Sequence, residues 1–124
     1  KSGELAFEHP AQFFAYAARA MRHLLADRAR DRLTQRAGGQ WIAVTLDGED
    51  AQMAVETAEE ALAMEQALAL LERSQPRAAR VVELRYFAGL SIDETAAALD
   101  AAPRTIDREW RFARAFLHDA LRSG

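Results

Sequence analysis

The last third of the chain constrains the fold most, because residues that typically start or end helices divide it into short helical stretches. Gly89 closes the first of them, since glycine readily adopts the left-handed backbone found at a helix C-terminus. Ser91 and Glu94 then form a capping-box pattern, in which each side chain accepts a hydrogen bond from the other residue's backbone N–H. Pro103 fits the first position of a further helix, where its missing N–H costs nothing. This order predicts a short helix, a tight turn and a second helix.

The second of these helices carries arginines opposite an apolar stripe. The apolar positions recur at steps of three and four residues, and they are Ile106, Trp110, Ala113, Leu117 and Leu121. If this stripe faces the core, Arg104 and Arg108 project together from the outer side, near the start of the helix. In a helix-turn-helix, this part of the second helix contacts base edges in the DNA major groove. Arg111 and Arg114 lie further along the helix and suit contacts with phosphates.

The outward arginines admit a second interpretation. Asp107 and Arg111 are four residues apart, a spacing at which opposite charges pair on an exposed helix. The arginines could therefore belong to a solvated face with local ion pairs. The spacing favours contact with DNA, and both interpretations stay open.

Hydrophobic periodicity predicts three further helices, over 11–36, from about Thr57 to Arg73, and over 77–87. The first has an apolar stripe formed by Phe13, Phe14, Ala17, Ala18, Met21, Leu24, Leu25, Ala29 and Leu33. Its basic residues fall mainly on the opposite side, at Arg19, Arg22, His23 and Arg30. The predicted packing positions of the next two helices are Leu62, Leu68, Leu70 and Leu71, then Ala78, Val81, Val82, Leu84, Tyr86 and Phe87. The β-like run 41–46 has no obvious partner strand and is interpreted as an extended connector, so the predicted fold class is all-α.

The aromatic residues near the start of the first helix also admit two interpretations. Phe13 and Phe14 are expected to belong to the core, because large aromatic side chains are usually buried. The alternative is that they and Tyr16, beside the arginines of the same helix, bind single-stranded DNA. Such binding combines base stacking with neutralisation of phosphates.

The composition argues against several functional classes. The chain has no cysteine, so it has neither a disulfide framework nor a thiolate metal site, and its three histidines lack metal-ligand spacing. No carboxylate pair, Ser/His/Asp set or glycine-rich phosphate loop is apparent, so we expect neither an enzyme nor a bound cofactor. No apolar run approaches the roughly 20 residues of a membrane span, and no signal-peptide pattern precedes the first helix. A cytoplasmic protein without membrane association is expected.

Charge is distributed in blocks along the chain. The formal net charge is −3, but the balance is +4 over 12–40, −7 over 41–75 and +1 over 76–124. Of the sixteen basic residues, all but Lys1 are arginine, the residue type that pairs bidentately with phosphate and with guanine. The basic N-terminal block is therefore compatible with nucleic-acid binding despite the acidic total.

Two blocks of the sequence match one known family in the right order. The C-terminal block comprises 76–91 with Glu94, Thr95 and Ala96, and then Thr105, Ile106, Arg108, Trp110, Arg111, Ala113, Arg114 and Ala115. This block resembles region 4 of the extracytoplasmic-function (ECF) sigma factors. The N-terminal block comprises Phe13-Phe14-Ala15, 17–22 and Asp27-x-x-Arg30, and it resembles the last helix of region 2 in the same family. The resemblance implies a partial region 2 over 1–38, an acidic linker over 39–58 and a helical region 4 domain with its helix-turn-helix over 59–124.

The resemblance implies a promoter-specificity subunit of bacterial RNA polymerase. In this family, region 4 binds the −35 promoter element and docks on the β flap of the core enzyme, while region 2 binds the β′ clamp and opens the −10 element. By position, the residues implied to contact −35 DNA are Arg104, Thr105, Arg108, Arg111 and Arg114. Those implied near the −10 element are Arg19, Arg22, His23 and Arg30. The family also implies regulation, for example by an anti-sigma factor or a kinase.

The sequence departs from the family pattern at three positions of the helix-turn-helix. Asp100 stands where the turn often has glycine, Ala102 where a serine cap is common, and Asp107 where many members have a basic residue. These changes are expected to weaken DNA binding more than they change the fold. The earlier helices of region 2 are expected to be missing from this chain, so the lone region 2 helix must cover its apolar stripe on region 4 or on another chain. Self-association into a homo-oligomer is therefore expected.

Two rival hypotheses remain beside the sigma factor. The chain could be a stand-alone helix-turn-helix regulator that dimerises through its N-terminal helix. It could also be a protein-interaction module that no longer binds DNA, which Asp107 and the acidic total would suit.

Overall fold

The computed structural model describes residues 10–35 and 57–123, and helices dominate both ranges. They are α1 (Pro10–Gln35), α2 (Ala58–Ser74), α3 (Pro76–Val82), α4 (Ile92–Leu99) and α5 (Pro103–Ser123), with a π-helical segment (Glu83–Phe87) directly after α3. The predicted all-α fold is confirmed, and the predicted helices agree closely with the observed bounds. The connector 41–46 and nearly all of the acidic linker 39–58 lie outside the described residues. None of the described helices is both long and apolar enough to cross a bilayer.

The predicted helix boundaries rest on caps that the structure contains. The Thr57 hydroxyl accepts a hydrogen bond from the Glu60 N–H at 3.0 Å and begins α2. At the start of α4, the Ser91 hydroxyl accepts from the Glu94 N–H at 3.0 Å, and the Glu94 carboxylate accepts from the Ser91 N–H at 2.9 Å. Gly89 has φ +76°, the left-handed conformation expected where the preceding helix ends. The capping box and the glycine stop are therefore confirmed.

The predicted helix over 77–87 changes character at its C-terminal end. The Ala88 N–H donates to the carbonyl of Glu83 at 3.2 Å, five residues back, so the backbone widens into a π-helical turn. Three of its five residues, Glu83, Leu84 and Tyr86, are buried. Leu84 packs on the side of α1, whereas Tyr86 belongs to the main core. The segment therefore presents buried groups in two directions.

Helix α5 lies at the centre of the main core, where it packs against α2, α3 and α4. Its buried stripe is the predicted one, and it contains Ile106, Trp110, Ala113 and Leu117. The facing residues from α2 and α3 include Met64, Leu68, Leu71, Val81 and Val82. This core fixes the rotation of α5 about its axis and so decides which side chains point outward.

Helix α1 packs against α2, α4 and the π-helical segment, through a face that overlaps the predicted stripe only in part. Its buried or partly buried residues include Phe14, Ala17, Ala18, Arg22, Leu25, Ala26 and Ala29. By contrast, Phe13 is 49% exposed, Met21 39% and Leu24 59%. The expectations of a core Phe13 and an outward Arg22 are therefore wrong.

The physical reason is that the apolar residues of α1 form one continuous surface over more than half of its circumference, so periodicity alone cannot choose which part of that surface docks. Carboxylates on α2 and on the π-helical segment decide the choice, because they compensate the buried charge of Arg22. Leu70 of α2, another predicted packing residue, is 57% exposed because it lies on the outer side of that helix.

Candidate nucleic-acid interface

The turn between α4 and α5 contains one residue, Asp100, with a left-handed backbone conformation. Asp100 has φ 55° and ψ 49°, the conformation that glycine adopts most easily and that aspartate tolerates better than most residues. The N–H of Ala101 donates to the carbonyl of Ala96 at 3.0 Å, the wide hydrogen bond typical of a helix ending in this conformation. The replacement of the family's glycine by Asp100 therefore leaves the turn intact, and Pro103 begins α5 as predicted.

The first turns of α5 present the two predicted base-reading arginines to solvent. Arg104 and Arg108 are exposed, and Thr105 between them is partly buried. Among the described residues, no hydrogen bond or ion pair engages either arginine. The packing of Ile106 and Trp110 into the core produces this orientation, as the apolar stripe predicted.

The next turn of α5 adds two arginines with different surroundings. Arg111 is 72% exposed, and its Nε lies 3.1 Å from the Asp107 carboxylate, so the predicted local ion pair is present. Arg114 is partly buried and lines a shallow cleft of about 180 Å³ together with Arg111 and His118. Basic side chains thus continue along the outer side of α5, and the charge of Asp107 is neutralised within the helix.

Two arginines from the preceding elements contact α5 from the side. Arg77 of α3 donates through Nε and Nη2 to the Glu109 carboxylate, at 3.0 and 2.8 Å. These hydrogen bonds raise the pKa of Arg77 above its ordinary value. The guanidinium of Arg85, in the π-helical segment, lies 4.7 Å from the centre of the Trp110 ring, within cation–π range. Both contacts join α5 to the elements that precede it in the chain.

Arg22, one of the residues implied near the −10 element, is buried in the structure. Its side chain is 3% exposed. The guanidinium donates through Nε to Glu65 at 2.8 Å and through Nη1 to Glu83 at 2.6 Å. Arg22 therefore cannot contact DNA while α1 is docked in this position, which corrects the sequence-based placement.

Arg22 belongs to a buried ion network that joins α1, α2, α3 and the π-helical segment. The network contains three arginines and three glutamates, namely Arg19, Arg22, Arg80, Glu65, Glu72 and Glu83. Equal numbers of both charges make it neutral. A groove of about 510 Å³ beside it is bordered by Tyr16, His23 and members of the network. Its neutrality indicates a structural role rather than an anion-binding site.

Burial and hydrogen bonding oppose each other in this network. Burial disfavours the charge of Arg22, but its hydrogen bonds with Glu65 and Glu83 outweigh burial and raise the pKa of Arg22 above its ordinary value. Burial raises the pKa of Glu83, and the hydrogen bond from Arg22 offsets part of that rise. Each of these two buried charges therefore depends on the other.

The remaining α1 residues implied near the −10 element are more accessible. His23 and Arg30 are exposed, and Arg30 pairs with Asp27 at 2.8 Å, on the solvent side. Arg19 is 43% exposed at the edge of the ion network. The residues implied near the −10 element therefore lie on α1, and those implied to contact −35 DNA lie on α5.

Sequence reasoning missed the acidic half of the ion network. Glu83 stands between Val82 and Leu84, two residues predicted to pack in the core. A carboxylate within such an apolar run signals a buried charge that needs a cationic partner. The matching signal on α1 was Arg22, which follows Met21 in the apolar stripe.

The fold and this surface define a helix-turn-helix protein: a capped short helix, a left-handed turn and a second helix with exposed arginines near its start. The chain matches the model of the ECF sigma factor family over residues 4–123. No curated protein and no solved structure matches it. Because the family model covers nearly the whole sequence, the chain belongs to the ECF sigma factors. It is a sigma factor of RNA polymerase, from a family of transcription initiation factors that act with the core enzyme on promoter DNA.

Proposed function

We propose that this sigma factor recognises the −35 element of its promoters through α5. The proposed contact residues are, in chain order, Arg104, Thr105, Arg108, Arg111 and Arg114. Arg104 and Arg108, near the start of the helix, read bases. Arg111 and Arg114, further along, neutralise phosphates. The observation that carries the proposal is that Arg104 and Arg108 are exposed and free of ion pairs among the described residues, while Ile106 and Trp110 hold the helix in the core.

The chemistry of the two leading arginines suits base recognition. A guanidinium donates two parallel hydrogen bonds to O6 and N7 of guanine in the major groove. Arg104 and Arg108 are separated by about 6 Å along the helix axis, slightly less than two base-pair steps of about 3.4 Å, so both are within reach of one short DNA element. The pairing of Asp107 with Arg111 removes a charge that would repel DNA, and this favours the proposal over an interaction module without DNA binding.

Helix α1 is proposed to act at the −10 element through its outer side. Of the residues implied near this element, Arg19, His23 and Arg30 are accessible. Phe13 and Tyr16 are 49% and 51% exposed, and exposed aromatic rings beside cations can stack on the bases of single-stranded DNA. Their exposure supports the stacking interpretation over the core interpretation for Phe13. On the polymerase, we place the docking of region 4 on the β flap and that of α1 on the β′ clamp.

The test is promoter-specific transcription by the full-length sigma factor with core polymerase, on a promoter selected by the wild-type holoenzyme. Replacing both Arg104 and Arg108 by alanine should abolish specific transcripts, because the base contacts are lost. Arg73→Ala is the matched control, since Arg73 is an exposed arginine on α2 and is not one of the α5 residues proposed to contact DNA. Unchanged transcription by the double variant would count against −35 recognition through these residues.

Salt dependence separates the base-reading arginines from the phosphate-contacting ones. Each phosphate contact contributes about 0.9 to the slope of log affinity against log salt concentration. Arg114→Ala should lower the slope by about that amount on any duplex. A slope that stays at the wild-type value would remove Arg114 from the interface.

Two further measurements separate the rivals. A stand-alone regulator should not be retained by core polymerase in a pull-down, whereas a sigma factor should be. An interaction module should show no binding to fluorescent promoter DNA at low salt.

A further inference from the structure

Two acidic residues lie among the arginines near the start of α5, and they are neutralised differently. Asp107 pairs with Arg111 of the same helix at 3.1 Å. Glu109 has no such option, because side chains on one helix meet only at spacings of three or four residues. The residues at those spacings are Thr105, Ile106, Phe112 and Ala113, and none is basic. A cation that neutralises Glu109 must therefore come from another element.

Arg77 of α3 supplies this cation. Its Nε lies 3.0 and 3.1 Å from the two oxygens of the Glu109 carboxylate, and its Nη2 lies 2.8 Å from one of them. Such a bidentate contact adds geometric specificity to the attraction between the two charges. The Arg77 side chain is 50% exposed and the Glu109 side chain 22%, so the pair lies at the surface, and Glu109 directly follows Arg108 in the chain.

We propose that Arg77 masks the charge of Glu109, so that the DNA-binding side of α5 presents its arginines without an uncompensated carboxylate beside them. The inference rests on the proposed binding of DNA by α5. Arg77 is a positioning residue under this proposal: it acts on DNA through Glu109 and contacts no base itself.

The alternative role for the pair is a mechanical brace between α3 and α5. Exposed ion pairs contribute little to folding stability, so variants of either residue should remain folded, which circular dichroism checks. A brace and a mask predict different behaviour when both charges are removed. A brace is lost whenever either partner is lost. If Arg77 acts by masking, its loss no longer weakens DNA binding once Glu109 has been made neutral.

The experiment measures binding of the full chain to a short fluorescein-labelled duplex at low and at high salt. Arg77→Gln should weaken binding about threefold at low salt, the size expected for one uncompensated surface charge near phosphates. The loss should shrink at high salt, because screening hides the exposed carboxylate. Glu109→Gln alone should not weaken binding. The double variant R77Q/E109Q should return to the wild-type affinity.

Arg73→Gln is the matched control, because it removes one exposed positive charge from α2 without touching Glu109 or the proposed DNA-contacting residues, and it should leave the affinity unchanged. Masking is overturned if R77Q binds like the wild type, if R77Q/E109Q stays as weak as R77Q, or if R73Q causes the same loss. A wild-type chain that binds no duplex would instead defeat the proposed −35 recognition, and masking would fall with it. Normal wild-type binding with an unaffected R77Q would defeat masking alone.

Discussion

At the residue scale, Arg22 occupies a position on α1 where an apolar side chain would usually pack. It is 3% exposed, and its partner Glu83 is 2% exposed. Removing two charges from water is costly, and close hydrogen bonds between them restore only part of that cost. The pair therefore adds little net stability compared with apolar residues, but it specifies which face of α1 docks. A slipped or rotated α1 would leave Glu83 without this compensation.

Replacing Arg22 by methionine should destabilise the protein by about 3 kcal/mol, since it leaves a buried carboxylate short of its closest partner. A second change, Glu83→Gln, should recover part of that loss by removing the charge. Urea unfolding followed by circular dichroism measures both. Arg30→Met is the control, because the Arg30–Asp27 pair is exposed and such pairs contribute at most about 1 kcal/mol. Equal losses for R22M and R30M would contradict the account of the network.

At the element scale, the helix-turn-helix is assembled from local signals at each boundary. The Ser91–Glu94 box begins α4, Asp100 ends it in the left-handed conformation, and Pro103 begins α5. Each signal acts over a few residues, and for this reason the helix bounds could be read from the sequence. The π-helical segment is the exception within this part of the chain. Its side chains pack both in the main core and against α1, and no short-range sequence pattern predicts it.

Asp100→Gly should stabilise the protein, because left-handed backbone costs a residue with a Cβ roughly 1 kcal/mol and glycine almost nothing. The gain should appear as a higher melting temperature and a higher urea midpoint. Ala97→Gly is the control: Ala97 is exposed within α4, so glycine there should cost about 0.5–1 kcal/mol. A D100G protein less stable than the wild type would show that the Asp100 side chain makes a compensating contribution.

At the scale of the whole molecule, α1 buries part of its broad apolar surface and leaves the adjoining face open. The open face runs from Phe13 to Leu24, with Tyr16 and Met21 also well exposed. This stretch is about 16 Å long at the rise of an α-helix. A stable dimer usually buries at least about 1,200 Å² in total, which is more than the four partly exposed side chains of this stripe can supply from two copies. Self-association through this face should therefore be weak and dependent on concentration.

Sedimentation velocity over a range of concentrations tests this expectation. The wild-type sedimentation coefficient should rise with concentration, and Leu24→Glu should suppress the rise by placing a charge in the open face. Leu70→Glu is the control, because Leu70 is similarly exposed, at 57%, but lies on α2. A strictly monomeric wild type at every concentration would remove the expectation of a homo-oligomer.

The amino-acid sequence by itself determined the helices, the turn and the orientation of the α5 arginines, because caps, prolines, glycines and periodicity act over a few residues. Ile106 and Trp110 illustrate this, since their spacing alone predicted which side of α5 is buried. Tertiary structure decided what depends on distant partners: the docked face of α1, the burial of Arg22 against Glu83, and the pairing of Arg77 with Glu109. The carboxylates that compensate the charge of Arg22 include Glu65 and Glu83, which lie 43 and 61 positions further along the chain. No local pattern encodes such a meeting, because it exists only after the helices have packed.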